Sequence, residues 1–307
     1  MPLIRKHPVF HPPISKQSLL WRYMGLPKFL SLLQSKSLFF YNLELMAQGD
    51  PFEGTLPSSR FLHRSWNAVE DVPSELKGRL SGFLKRGETD LSIGLNRMKE
   101  LAELRIRQAF AMRRAYFINC WHMNDHESAA MWDIYSKRNE GIAIVSCEER
   151  LEGALENCSL DIYGGKVIYG NYSSEKFVID ENSAFTPIIH KRMSFEYEKE
   201  FRLAYCDTSV THKEIKSEKG FFNIDGDLIP DITPNGVVTR GRSEDEIEAI
   251  TPTPGVNVNC DLNILINKIY ISPLAEQWFY DIVASACSTY GITAPVEKSE
   301  IFSEPMR

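Results

Sequence analysis

The most chemically loaded stretch of the chain is Phe195-Glu196-Tyr197-Glu198-Lys199-Glu200-Phe201-Arg202-Leu203. On a strand, alternate side chains share a face. Glu198, Glu200 and Arg202 then point one way, and Phe201 and Leu203 the other. The apolar pair belongs in a core. The charged triplet is expensive to bury without partners, so its face must meet solvent, ion partners or a site. Two close carboxylates in unlike surroundings can take different protonation roles. An ordinary exposed strand face with Glu–Arg pairing explains the same residues without chemistry.

Two further clusters carry reactive residue types. In Trp21-Arg22-Tyr23, an arginine sits inside an aromatic strand, where a guanidinium forks onto a carboxylate or a phosphate. Its partner is either an internal acid such as Glu200 or an anionic ligand. Cys120-Trp121-His122-Met123-Asn124-Asp125-His126-Glu127-Ser128 holds Cys, His and Glu close together, but the spacing fits no strong zinc pattern. No metal is expected there. Glu127 and Ser128, at the start of a helix, are better placed to offer polar groups to a ligand. Trp121, Met131, Trp132 and Tyr135 read as core or pocket wall. A metal-dependent hydrolase or nuclease using Asp50, Glu53, His122, His126 or Glu127 is a third possibility.

Walker, G-x-G-x-x-G, G-x-S-x-G and H-E-x-x-H motifs are missing, which removes the kinase, dehydrogenase, lipase-like and zinc-peptidase readings. A net charge of −6 argues against a surface that tracks nucleic acid throughout. A local basic groove is not excluded, since Arg105, Arg107, Arg113 and Arg114 form one positive segment, although a solvated helix face explains them as well. The six cysteines are scattered without a C-x-x-C pair, as in a reducing compartment. No signal peptide and no membrane-length apolar stretch is expected, so a cytoplasmic protein is the reading.

These residues need elements to position them. With 307 residues and 43% hydrophobic content, the chain suits one elaborated domain, residues 18–307, behind a flexible Pro- and His-rich arm, residues 1–17. Leu19 to Met24 predicts a strand, Pro27 to Ser35 a helix, and Ser37 to Tyr41 a second strand. Residues 60–118 predict mostly helix, and residues 182–194 another helix. Further strands are expected at Tyr116–Trp121, Gly141–Ser146, Val167–Tyr169, Glu200–Tyr205 and Lys268–Ile271. Helices are expected after Asn124 or Asp125 and after Pro273. Residues 207–260 read as polar turns. Strands and helices mix without regular alternation, which predicts an α+β fold with a mixed, mainly antiparallel sheet flanked by helices.

In order, Leu20-Trp21-Arg22-Tyr23, Leu32 to Phe40, Asp50-Pro51-Phe52-Glu53-Gly54, Trp121-His122, Glu127 to Tyr135, Gly141 to Ile144, Lys191-Arg192, Phe195 to Arg202 and Ile269 to Pro273 resemble the bacterial domain-of-unknown-function family 2971. That family implies no activity. The opening strand–helix–strand with an arginine, and a late strand beginning Glu-x-Glu, also resemble ADP-ribosyltransferase-type folds. That likeness implies NAD as substrate. Arg22 would hold its pyrophosphate or ribose, and Ser37, Phe39 or Tyr41 would line the nicotinamide pocket. Glu200 would be the catalytic acid, with Glu198 activating the acceptor, and Tyr23, Trp121, Glu127, Ser128 and Arg192 nearby. The implied protein is an ADP-ribosyltransferase or NAD glycohydrolase, in a toxin or phage-defence setting, with a macromolecular acceptor. No Ser-Thr-Ser follows the second strand, and the block from Trp121 to Tyr135 has no counterpart in that pattern. The alternative is a non-enzymatic sensor or protein-binding module, whose aromatic residues line a pocket or partner surface.

Overall fold

Leu19–Gly25 forms strand β1, with Leu20, Trp21, Tyr23 and Met24 buried, so both of its faces are covered. Gly25 hands over to helix α1, Leu26–Ser35, with Pro27 in the first turn, where its missing N–H is not needed. Phe29, Leu32 and Leu33 give α1 one buried stripe. The helix stops at Lys36, which takes left-handed backbone at φ 48°, and the chain reverses into β2, Ser37–Asn42. The expected strand–helix–strand opening is present. The computed structural model describes residues 7–57, 59, 61–136, 139–174, 177, 183–216, 221–222, 228–229 and 237–302.

These strands belong to a nine-stranded sheet. The others are β3, Tyr116–Met123; β4, Gly141–Cys147; β5, Ile162–Lys166; β6, Glu200–Cys206; β7, Gly255–Asn259; β8, Lys268–Ile271; and β9, Val296–Lys298. Only β8 with β9 is parallel; every other pair in the sheet is antiparallel. The fold is α+β with a mixed, mainly antiparallel sheet.

The sheet is forked. β6 pairs with β3 along seven positions, from Tyr116↔Cys206 to His122↔Glu200, and occupies one edge of β3. The other edge is shared. β1 pairs there only at Leu20↔Met123 and Trp21↔His122, and β2 only at Tyr41↔Ile118 and Asn42↔Phe117. Between these two contacts β1 and β2 lean away from β3, with α1 linking them. β4, β8 and β9 continue the β1 branch, and β7 continues the β2 branch. Asn119 and Arg22 bridge the gap with side-chain hydrogen bonds to backbone oxygens. Asn119 Nδ2 donates to Phe39 O at 2.9 Å, and Arg22 Nη1 donates to Cys120 O at 3.0 Å.

The main core lies on one face. Leu20, Met24, Phe117, Trp121, Ile142, Ile144, Phe201 and Leu203 pack there against α1 and against Phe279 and Val283 of a late helix, Gln277–Thr289. The opposite face carries Trp21, Tyr23, Ala143 and Val145, covered by Met131 and Trp132 of α-helix Ala129–Tyr135. Beside it, Val9 and Phe10 pack with Tyr116, Ile118, Ile188 and Ile189.

Several expectations need correction. Residues 7–17 are not a free arm: Val9 and Phe10 are buried, and His11 bridges to Lys166, because these apolar rings complete the core beside Tyr163 and Phe185. Residues 1–6 of that arm lie outside the described residues. The span 60–118 is helical chiefly at Ser74–Leu80 and Leu91–Met112, held by a satellite core of Trp66, Val72, Leu80 and Leu95. Within it, Arg113 is not on a solvated face but is buried, donating to Pro51 O at 2.8 Å. The helix after Pro187 covers only Thr186–Ile189, giving way to a strand at His190–Arg192 and a tight 3-10 helix at Met193–Glu198. Of the polar stretch 207–260, part lies outside the described residues, and its end supplies β7.

Candidate functional site

Side chains directly opposite each other on paired strands share a face. Trp21, His122 and Glu200 therefore form one row across β1, β3 and β6, and Cys120 and Arg202 the next row on β3 and β6. Arg22, one residue along from Trp21, points to the other face, where its guanidinium lies 5.8 Å from the centre of the Trp121 ring. The fork lets both faces meet. A cavity of about 570 Å³ is lined by Arg22, Lys28, Ser37, Trp121, His122, Tyr135, Lys191, Glu198 and Glu200, among others. Trp21, Tyr23, Phe39 and Tyr41 also line it, with Phe39 and Tyr41 half-exposed.

Beneath the cavity lies a buried ion cluster. Arg202 is fully buried and grips both oxygens of Glu200, at 2.8 and 2.9 Å. Its Nη1 reaches Glu53 Oε1 at 2.7 Å and Ile188 O at 2.5 Å. Lys191 Nζ lies 2.5 Å from Glu198 Oε2, 3.4 Å from Glu200 Oε2 and 3.7 Å from Glu53 Oε2. Tyr135 donates its hydroxyl to Glu198 Oε1 at 2.7 Å. Burial pushes the Glu200 carboxyl up, but the Arg202 and Lys191 charges outweigh it and hold Glu200 well below its ordinary value. Burial opposes the charge on Lys191, and Glu200, Glu53 and Glu198 together more than restore it. Burial, then the Glu198 charge, pushes the Tyr135 phenol up, so it stays a donor.

Arg22 is different. Among the described residues it has no carboxylate within salt-bridge distance, and its one hydrogen bond goes to Cys120 O. Burial lowers its pKa from the ordinary value. The expected pairing with Glu200 does not occur, because Arg202 and Lys191 already take that carboxylate.

His122 is buried, and its Nδ1 lies 2.6 Å from Glu198 O. A carbonyl oxygen only accepts, so Nδ1 carries the proton. Nε2 is then a bare acceptor, and it has no partner among the described residues. Burial lowers the His122 pKa and keeps the ring neutral.

The structure thus brings together Arg22, Tyr23, Ser37, Phe39, Tyr41, Trp121, Glu198 and Glu200 around one cavity. Glu127, Ser128 and Arg192 are not among the lining residues. Glu127 accepts from Trp132 Nε1 at 3.0 Å and Ser299 Oγ at 2.5 Å, which fixes the helix Ala129–Tyr135. Ser128 gives its backbone N–H to the Tyr23 hydroxyl at 2.9 Å. Arg192 pairs with Asp50 at 2.6 Å and lies over Phe52. The face expected for Glu198, Glu200 and Arg202 is also altered. β6 begins at Glu200, and Lys199 takes left-handed backbone at φ 41°. Glu198 therefore ends the preceding helix and reaches Lys191 from another side. The acids and histidines named for a metal-dependent hydrolase are dispersed: Asp50 goes to Arg192, Glu53 to Arg202, and His122 to Glu198 O. Among the described residues no group of three such side chains is placed to hold a metal ion. Sequence reasoning did not name Lys191, the cation shared by three carboxyl groups, as a site residue; its place in the Lys191-Arg192 motif was the available signal.

Fold and site together define an α+β protein with a forked, mainly antiparallel sheet and a ligand-sized cavity in the fork. Residues 131–203 match the model of a family described as Protein of unknown function (DUF2971), so the resemblance read from the sequence holds over that segment. It contains Tyr135, Lys191, Glu198, Glu200 and Arg202. No curated protein and no solved structure matches the chain. Among the described residues, no helix is long and apolar enough to cross a membrane.

Proposed function

We propose that the chain is an NAD-consuming enzyme, an ADP-ribosyltransferase or NAD glycohydrolase. One observation carries this reading: an arginine without a carboxylate partner among the described residues and a pair of carboxylates line the same aromatic-walled cavity. Arg22 and Lys28 supply charge for the pyrophosphate, and Phe39, Tyr41, Trp121 and Tyr135 supply flat surfaces for the rings. Breaking the nicotinamide–ribose bond needs the leaving group held and the positive ribose stabilised. Glu200, held ionised by Arg202, supplies that negative charge; it is a counter-charge and not a proton donor. A macromolecular acceptor, in a toxin or phage-defence setting, is the natural use of such a transfer.

Purified protein incubated with NAD, alone and with a cell extract as acceptor, should release nicotinamide. Wild-type protein that neither releases nicotinamide nor binds ADP-ribose would remove the proposal. A second reading is a sensor that binds a nucleotide-type ligand without turnover. It is favoured by the Glu200 oxygens, both already engaged by Arg202. ADP-ribose binding without nicotinamide release would select it.

A further inference from the structure

A second cavity, of about 550 Å³, lies away from the fork and shares no described lining residue with the first. One face of the helix Leu91–Met112 borders it. Met98, Leu101, Arg105, Ala109 and Met112 follow one another at three or four residues and so share that face. The satellite core takes up Met98 at one end, and the core beside β3 takes up Met112 at the other. Leu101 and Ala109, between them, join no hydrophobic cluster among the described residues. Phe83 and Ile247 add apolar wall, Ile247 from the short helix Glu244–Glu248 packed against the long one.

Two arginines line this apolar cavity. Arg105 stands exposed on the helix face. Arg242 follows the strand Val237–Gly241, and its backbone N–H donates to Thr211 O at 2.8 Å, which fixes where its side chain starts. The neighbouring Arg240 is tied to Glu246. Among the described residues neither Arg105 nor Arg242 has a side-chain hydrogen bond or a carboxylate within salt-bridge distance. In Arg242, Nε is closed off and the two terminal nitrogens are the open ones. Glu244 is the only acid among the described lining residues, so two positive charges face one negative.

We infer that this second cavity binds a fatty carboxylate, a single acyl chain ending in one negative charge. The chain lies along the apolar face of Leu91–Met112. The carboxylate meets the open fork of Arg242, and Arg105 adds charge from the helix. A largely apolar pocket of this size with a few convergent polar groups is the usual form of a small-molecule site. One surplus positive charge matches a monoanion better than a doubly charged phosphate ester. The inference is independent of the NAD reading, because the two cavities have separate walls.

Equilibrium dialysis of the full chain against labelled decanoate, 1-decanol and acetate, each below its aggregation limit, is the test. Decanoate should bind, decanol should bind roughly 10- to 100-fold more weakly, and acetate should show no measurable binding. Arg242→Gln removes no internal hydrogen bond or ion pair of that side chain, and it should weaken decanoate by the same roughly 10- to 100-fold while leaving decanol unchanged. Ala109→Trp fills the cavity and should abolish binding of both, with circular dichroism checking the fold. Wild-type protein that does not bind decanoate, or that binds decanol equally well, would overturn the inference. Decanoate affinity unchanged in Arg242→Gln would overturn it too, even if Ala109→Trp fails to fold.

Discussion

Arg202 closes a two-pronged ion pair on Glu200, Nε to Oε1 at 2.8 Å and Nη2 to Oε2 at 2.9 Å, with the arginine side chain wholly buried. Burying such a pair costs desolvation of both ions, and removing one partner costs most where no other counter-charge remains. Glu200→Gln should destabilise the fold by about 1–3 kcal/mol, since Arg202 loses its two-pronged acceptor but keeps Glu53, and Lys191 keeps Glu198. Denaturant unfolding measures this directly. Glu200→Gln combined with Arg202→Met should cost less than the sum of the two single changes. Any loss of activity in Glu200→Gln has to be compared with its folded fraction.

Arg22 predicts the opposite balance. With no carboxylate partner among the described residues, its removal strands no charge and gives up only the hydrogen bond to Cys120 O. Arg22→Gln should change stability by no more than about 1 kcal/mol, the loss of its contact with Trp121 and the relief of burying a charge being of similar size. A charge-assisted contact to phosphate contributes about 1.5–3 kcal/mol, so ADP-ribose affinity should fall by roughly 10- to 100-fold. Calorimetric titration beside a thermal melt separates the two effects.

Much of this arrangement was legible locally. Pro27 and the Phe29, Leu32, Leu33 stripe define α1, and the apolar run from Gly141 to Ser146 defines β4. Phe201 and Leu203 do enter the core, as their alternation requires. The same alternation failed two residues before Phe201. Left-handed backbone at Lys199 breaks the strand period, and nothing in Glu-Lys-Glu announces it. The partner of Arg202 at Glu53 was equally hidden, because the pair joins residues 149 positions apart. The fork depends on two strands sharing one edge of β3, a property of strand pairing that no single segment encodes.

The pH dependence of stability should have two acid steps. The folded pKa of His122 is depressed from 6.5 by burial. Its contribution is therefore full above 6.5 and is lost as pH falls below that value, where the unfolded ring protonates first. The folded pKa of Glu200 is depressed from 4.5, so its contribution is full above 4.5 and is lost as pH falls through the folded value. Lys191 is raised from 10.5, so its contribution is present throughout the acid range and fades only as pH rises above 10.5. Unfolding free energy measured against pH should plateau between 6.5 and 10.5 as far as these three groups are concerned. His122→Asn should erase the upper acid step alone. A single acid step below 4.5 in the wild type would contradict the depressed histidine.

Lys199 sits between the two carboxylates in a backbone conformation that L-residues adopt at a cost of roughly 1–2 kcal/mol. Its side chain is exposed and donates to Asn124 Oδ1 at 3.0 Å, a surface contact of small worth. Lys199→Gly relieves the strain but enlarges the freedom of the unfolded chain, so stability should stay within about 1 kcal/mol of wild type. Lys199→Val places a β-branched residue in the same left-handed region and should destabilise by about 1–3 kcal/mol. The valine variant also pushes the turn toward extended backbone, which would draw Glu198 onto the strand and away from Lys191 and Tyr135. Nicotinamide release should then fall in Lys199→Val and persist in Lys199→Gly, measured on samples matched for folded fraction. Equal stability and equal turnover in the two variants would mean that the left-handed turn does not hold the two carboxylates in place.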